Sequence, residues 1–120
     1  MNDRIAVLVV EYEVLIRMDI ADQLAGEGFI VFEAENAGRA IEILQREPGI
    51  HILFTDIDMP GSMDGLRLSA AVRDRWPPVK IIVTSGHRTV EITDLPDGSV
   101  FFSKPYRHAQ VVESIKELMA

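Results

Sequence analysis

The chain has 120 residues, 48% of them hydrophobic, which suffices for one compact domain with a buried core and leaves no room for a second. A formal charge of -7 and a pI near 4.8 would repel a phosphate backbone, so direct nucleic-acid binding is disfavoured and proteins are the expected partners. The lack of cysteine rules out a disulfide framework and a thiolate zinc site, and the longest early apolar run is too short for a membrane span or signal segment, so the cytoplasm is the expected compartment.

The first run, Ile5 to Val10, is β-branched and almost continuously apolar, the pattern of a parallel strand covered on both faces. Ile16, Ile20 and Leu24 then recur at helical spacing and predict a helix that stops near Gly26 and Gly28. Phe29 to Ala34 reads as a second strand. Asn36 is a candidate N-cap for a helix whose apolar face carries Ala37, Ala40, Ile41 and Leu44. His51 to Thr55 forms the third strand, and Asp64 is placed to cap a helix running to Trp76, where Pro77 and Pro78 stop it. Val79 to Thr84 is the fourth strand. The segment Thr89 to Leu95 predicts only a short helix, because it is rich in β-branched residues and ends at Pro96. Ser99 to Phe102 supplies a fifth strand, and Val111, Ile115 and Leu118 form the apolar stripe of a closing helix that keeps Glu113, Lys116 and Glu117 in water.

This alternation predicts a doubly wound α/β domain with a parallel sheet and helices on both faces. In such sheets ligands bind beyond the carboxyl ends of the strands. Just past those ends lie Glu11, Tyr12 and Glu13, then Asp56 and Asp58, then Thr84 and Ser85, and finally Lys104. Carboxylates within about 4 Å of each other repel by roughly 4 kcal/mol per pair at an effective dielectric near 20, so the group needs a cation. Lys104 is one candidate and a hard divalent ion such as Mg2+ is the other. A carboxylate so placed can attack a phosphoryl donor, while Lys104, the Thr84 hydroxyl and the metal hold the equatorial oxygens. The chemistry expected is phosphoryl transfer to Asp56.

Five motifs carry a family resemblance: Val-Leu-Val-Val-Glu-Tyr-Glu at 7 to 13, Leu-Phe-Thr-Asp-Ile-Asp-Met-Pro-Gly at 53 to 61, Met-Asp-Gly at 63 to 65, Ile-Val-Thr-Ser at 82 to 85 and Ser-Lys-Pro-Tyr at 103 to 106. In this order the chain resembles, over essentially its whole length, the receiver domain of two-component response regulators. The resemblance implies one receiver domain over residues 1–120, with a flavodoxin-like strand order 2-1-3-4-5 and a cis bond before Pro105. It also implies that Asp56 is the phosphoacceptor, Thr84 the switch hydroxyl, Lys104 the phosphate-contacting lysine and Phe101 the switch aromatic. The donor would be a histidine kinase or phosphotransfer protein, and the output would be binding to a downstream protein by a monomer or weak homodimer. No enzymatic activity is implied beyond the domain's own phosphorylation and dephosphorylation.

One departure from the family pattern touches the metal. Receivers usually carry two adjacent acidic residues after the first strand, and the second normally contacts magnesium, but here it is Tyr12. A phenol is neutral at pH 7 and a poor ligand for Mg2+. Glu11, Asp56 and the backbone carbonyl of Asp58 remain as the metal set, so weak Mg2+ binding and slow or weakly magnesium-dependent phosphorylation are expected. The loop Pro60 to Gly65 is also one residue longer than the commonest form.

Simpler readings stand beside these. Glu13 fits the start of a helix, where acidic residues are favoured, and Thr84 fits as a β-former at a strand end. Lys104 could be a surface lysine, Phe101 reads equally as core packing, and Tyr12 could lie over the pocket mouth. Trp76 is expected to cover the end of its helix, and His51, His87 and His108 lack ligand spacing, so loop or solvent-facing roles are expected. Two other functions fit parts of the sequence. Tyr12 suggests a pseudo-receiver that binds partners without using phosphate, and Asp56-Ile57-Asp58 resembles the paired aspartates of haloacid-dehalogenase phosphatases, although a later acidic motif is missing.

Overall fold

The computed structural model describes residues 4–61, 63–86 and 94–120. The first strand, β1 (Ala6–Val10), carries five buried apolar residues and is flanked on both sides, because a strand with no polar face cannot lie at a sheet edge. The other strands are β2 (Ile30–Ala34), β3 (Ile52–Asp56), β4 (Lys80–Ser85) and β5 (Val100–Ser103). All pairings are parallel, and the order is β2-β1-β3-β4-β5, the one implied by the resemblance.

Side chains alternate across each strand and so divide the core into two layers. Leu8, Val10, Leu53, Ile81 and Val83 point to the face covered by α2 (Ala37–Arg46) and α3 (Gly65–Arg75), through Ala40, Leu44, Leu68 and Val72. Val7, Val9, Ile52, Phe54 and Ile82 point to the other face, where Ile20 and Leu24 of α1 (Val14–Gly26) meet Val111 and Ile115 of α4 (His108–Leu118). Burying each such Leu, Ile or Phe contributes about 1.5–3 kcal/mol before chain entropy is counted, so the two layers fix how the helices lie on the sheet.

The helix ends follow the capping chemistry. Asn36 Oδ1 accepts from Arg39 N at 2.8 Å, and Asp64 Oδ1 accepts from Arg67 N at 2.9 Å. The chain leaves α1 through Gly28 at φ 94°, a conformation that favours glycine. Gly65, at the start of α3, lies so close to the Asp56 backbone that a side chain there would overlap the Asp56 carbonyl, and its N–H donates to Ile57 O at 3.0 Å. The absence of a side chain at residue 65 thus lets α3 begin directly behind Asp56.

Several boundaries differ from the sequence reading. β3, β4 and β5 run one residue further and end on Asp56, Ser85 and Ser103, because backbone pairing continues through polar residues that an apolar pattern cannot register. At the other ends, Ile5, Phe29 and Val79 join the core or its margin without joining a strand. Residues 89–93 of the expected short helix, and His87, lie outside the described residues. Trp76 caps α3, packs on the core and takes the Arg75 guanidinium 4.5 Å from its ring centroid, so it does cover that helix end. His51 is half-buried, and its Nδ1 accepts from Ala6 N at 2.9 Å, which ties β1 to the start of β3. Among the described residues, no helix is long and apolar enough to cross a membrane.

Candidate functional site

Parallel strands bring their carboxyl ends to one edge, and the order β1-β3-β4-β5 sets four of the expected residues side by side there. Glu11 follows β1, Asp56 closes β3, Thr84 pairs in register with Asp56 on β4, and Lys104 follows β5. Glu11, Asp56 and Thr84 are 3%, 3% and 1% exposed, an unusual depth for two carboxylates. The Lys104 stem lies over Gly86, at a distance where even a Cβ would make ordinary van der Waals contact with it, and its peptide bond to Pro105 is cis.

The charges are arranged around one ammonium. Lys104 Nζ lies 2.7 Å from Glu11 Oε1 and 3.1 Å from Asp56 Oδ2, and donates to both. The second oxygen of Glu11 accepts from Glu13 N at 3.0 Å, so both oxygens of Glu11 are held by donors of the chain. Asp56 Oδ1 differs: it is buried and has no hydrogen-bond partner among the described residues. Burial, then the neighbouring Glu11 charge, pushes the Asp56 carboxyl above its ordinary range, and Lys104 offsets only part of this. Burial pulls Lys104 down, but the two carboxylates more than compensate and hold the ammonium above the usual lysine value. Glu11, Asp56 and Lys104 thus set two carboxylates against one ammonium and leave one carboxylate oxygen under-satisfied.

The remaining expected residues are placed differently. The Asp58 carboxylate accepts from Ser85 Oγ at 2.9 Å. Tyr12 and Glu13 are exposed, and Glu13 lines the groove beside Lys104. Phe101 is half-buried on β5 and packs against the layer covered by α2 and α3, so its ring has a packing role. Among the described residues, no three His, Asp or Glu side chains converge as a metal site. The hard donors available are the unsatisfied Asp56 Oδ1, the carboxylate of Glu11 if it releases a present donor, and the Asp58 backbone carbonyl. This all-oxygen set fits a water-rich Mg2+ held by few protein ligands.

Three features escaped the sequence reading. Arg17 on α1 folds back over the β1–α1 loop, with Nη1 2.8 Å from Glu11 O and Nε 3.4 Å from Glu33 Oε1. Tyr106 packs edge-on against Phe54 at 5.6 Å and against His108 at 6.3 Å, while His108 Nε2 lies 3.0 Å from Asp19 Oδ2. Burial, with the charges of Glu11, Asp19 and Asp56, pushes the Tyr106 phenol well above its ordinary value, so it remains neutral. Finally, Val14, Leu15 and Met18 leave the outer face of α1 apolar and exposed, Leu15 to 79%, with Tyr12 exposed in the loop before it. This face borders a groove of about 600 Å3 lined by Leu15, Ile16, Lys104, Pro105, Tyr106 and His108. The signal for it was present, since α1 is apolar at 14, 15 and 18 as well as at 16, 20 and 24.

Comparison with known proteins agrees with this fold. The family model for the response regulator receiver domain matches residues 7–116. The chemotaxis protein CheY of Bacillus subtilis is 31% identical over 117 residues, covering 94% of this chain and 96% of CheY. A putative NtrX-like response regulator of Rickettsia bellii is 34% identical over 116 residues, covering 93% of this chain but 24% of that protein, so the chain spans about a quarter of such relatives. The crystal structure of a response regulator receiver protein from Sinorhizobium medicae superposes with a TM-score of 0.88 at 27% identity, covering 98% of this chain and 95% of that one.

Proposed function

Because the chain belongs to the response regulator receiver domain family of two-component signalling, we propose that it is switched by phosphorylation of Asp56 and signals through protein binding. The observation that carries this reading is the single Lys104 ammonium held between the buried carboxylates of Glu11 and Asp56. It keeps Asp56 close to a phosphate-binding cation before any phosphate arrives.

In the proposed reaction an Asp56 carboxylate oxygen attacks the phosphorus of a phosphohistidine on a histidine kinase or phosphotransfer protein. The new O–P bond forms as the P–N bond breaks, and the electron pair leaves with the donor's imidazole, which takes a proton. Lys104 then exchanges carboxylate contacts for a phosphoryl oxygen, and the Thr84 hydroxyl, one strand away, donates to another. Mg2+, when bound, would neutralise developing charge on the phosphoryl oxygens; Asp56, Glu11 and the Asp58 carbonyl are the groups to hold it. With Tyr12 where an acidic ligand is usual, that binding is weak.

Phosphorylation replaces the single Asp56 charge with up to two on the phosphoryl group and adds strong acceptor oxygens. Drawing Thr84 and Lys104 inward would carry that change along β4 and β5, with Phe101 reporting it at the surface used by a downstream protein. The exposed apolar face of α1, which opens beside Lys104, is the surface suited to the phosphodonor. The pseudo-receiver and phosphatase alternatives have no support in this geometry or in the family assignment. Labelled phosphate lost from Asp56→Asn and retained on Asp58→Asn is the expected result, and label retained on Asp56→Asn would refute the proposal.

A further inference from the structure

We propose that Arg17 is a positioning residue for phosphoryl acceptance: it fixes the β1–α1 loop so that the Glu11 carboxylate keeps Lys104 against Asp56. This rests on the reading of Asp56 as acceptor, but it concerns a residue on another element.

Arg17 is anchored by its backbone in α1 and reaches back along the loop with its side chain. Its backbone N–H donates to Glu13 O at 2.9 Å, in the first turn of α1, while its side-chain Nη1 donates to Glu11 O at 2.8 Å and reaches Tyr12 O at 3.5 Å. No side chain of the N-cap Glu13 bonds back to α1, and the Glu13 N–H is taken by the Glu11 carboxylate, so the loop's carbonyls at Glu11 and Tyr12 are left for the Arg17 guanidinium. That same carboxylate holds Lys104 at 2.7 Å. A path of short contacts thus runs from Arg17 to the Glu11 backbone, through its side chain to Lys104, and on to Asp56.

The simpler role for Arg17 would be to tie α1 to β2 through Glu33. That pair is longer, at 3.4 Å, and Glu33 is 45% exposed, so it contributes little. The Arg17 side chain itself is only 16% exposed, and its shortest contact is the Glu11 carbonyl. A planar guanidinium with several fixed donors suits a site that presents two successive carbonyls and a carboxylate.

The test uses the lysines as reporters. The chain contains only Lys80, Lys104 and Lys116, and Lys80 and Lys116 are exposed, so 15N-lysine labelling gives one ammonium signal distinct from two solvated ones. In the unphosphorylated wild type, the Lys104 signal is expected to be shifted and slow to exchange. Arg17→Met should move it toward the signals of Lys80 and Lys116 and slow phosphorylation by acetyl phosphate about tenfold, while Glu33→Gln leaves both unchanged. Arg17→Lys should give an intermediate shift, and it serves as the test variant if Arg17→Met does not fold. A folded Arg17 variant whose Lys104 signal matches the wild type would overturn the proposal. The ammonium signal is read without phosphate, whereas failure of the wild type to gain phosphate would overturn the acceptor reading alone.

Discussion

Replacing Lys104 with Met removes the ammonium and keeps an unbranched stem, which leaves two buried carboxylates facing each other. At an effective dielectric near 20, the attractions lost at 2.7 and 3.1 Å are about 6 and about 5 kcal/mol before desolvation is counted. Desolvation of the three groups offsets most of that, and the net cost of stripping one partner from a buried pair is about 3–5 kcal/mol. The loss should depend on pH in a definite direction. Asp56 already has its carboxyl raised above 3.8 by burial and by Glu11, and without Lys104 it rises further. A group with a raised folded pKa contributes stability below its unfolded pKa and loses it as pH rises through the folded value. The cost of Lys104→Met should therefore grow as pH rises above the ordinary carboxyl range, measured by urea unfolding from pH 4 to pH 8. Adding Glu11→Gln to Lys104→Met should recover a large part of the loss at pH 8. A loss under about 1 kcal/mol, or one independent of pH, would refute the electrostatic account of the site.

Three further outcomes follow from the same geometry. Asp56→Asn removes the carboxylate that burial and Glu11 disfavour, so the variant should gain stability relative to wild type as pH rises above 4; parallel pH profiles in urea unfolding would contradict this. Tyr12→Asp restores an acidic side chain beside Glu11, and a magnesium titration of phosphorylation by an acyl phosphate should become tighter and more strongly magnesium-dependent than in the wild type. Leu15→Glu, on the exposed face of α1, should change unfolding free energy by no more than about 0.5 kcal/mol; it should slow phosphotransfer from a cognate kinase at least tenfold while leaving phosphorylation by acetyl phosphate unaltered.

Much of the architecture was legible because it depends on side-chain period and capping. Apolar runs marked all five strands, and Asn36 and Asp64 announced two helices by chemistry that the structure retains. The missing information was of two kinds. Backbone pairing carries β3, β4 and β5 onto Asp56, Ser85 and Ser103, where hydropathy is silent. Side-chain orientation was equally hidden: no pattern in the sequence says that Asp58 turns to Ser85, or that Arg17 reaches back to the Glu11 carbonyl. Topology sufficed to bring Glu11, Asp56, Thr84 and Lys104 to one edge. It could not say that both Glu11 oxygens would be engaged while Asp56 Oδ1 had no hydrogen-bond partner among the described residues.

The most direct measurement is intact mass after incubation with acetyl phosphate, for the wild type, Asp56→Asn and Asp58→Asn. Wild type and Asp58→Asn should each gain the mass of one phosphoryl group, and Asp56→Asn should gain none. A phosphoryl group retained by Asp56→Asn would contradict the assignment of Asp56 as the acceptor.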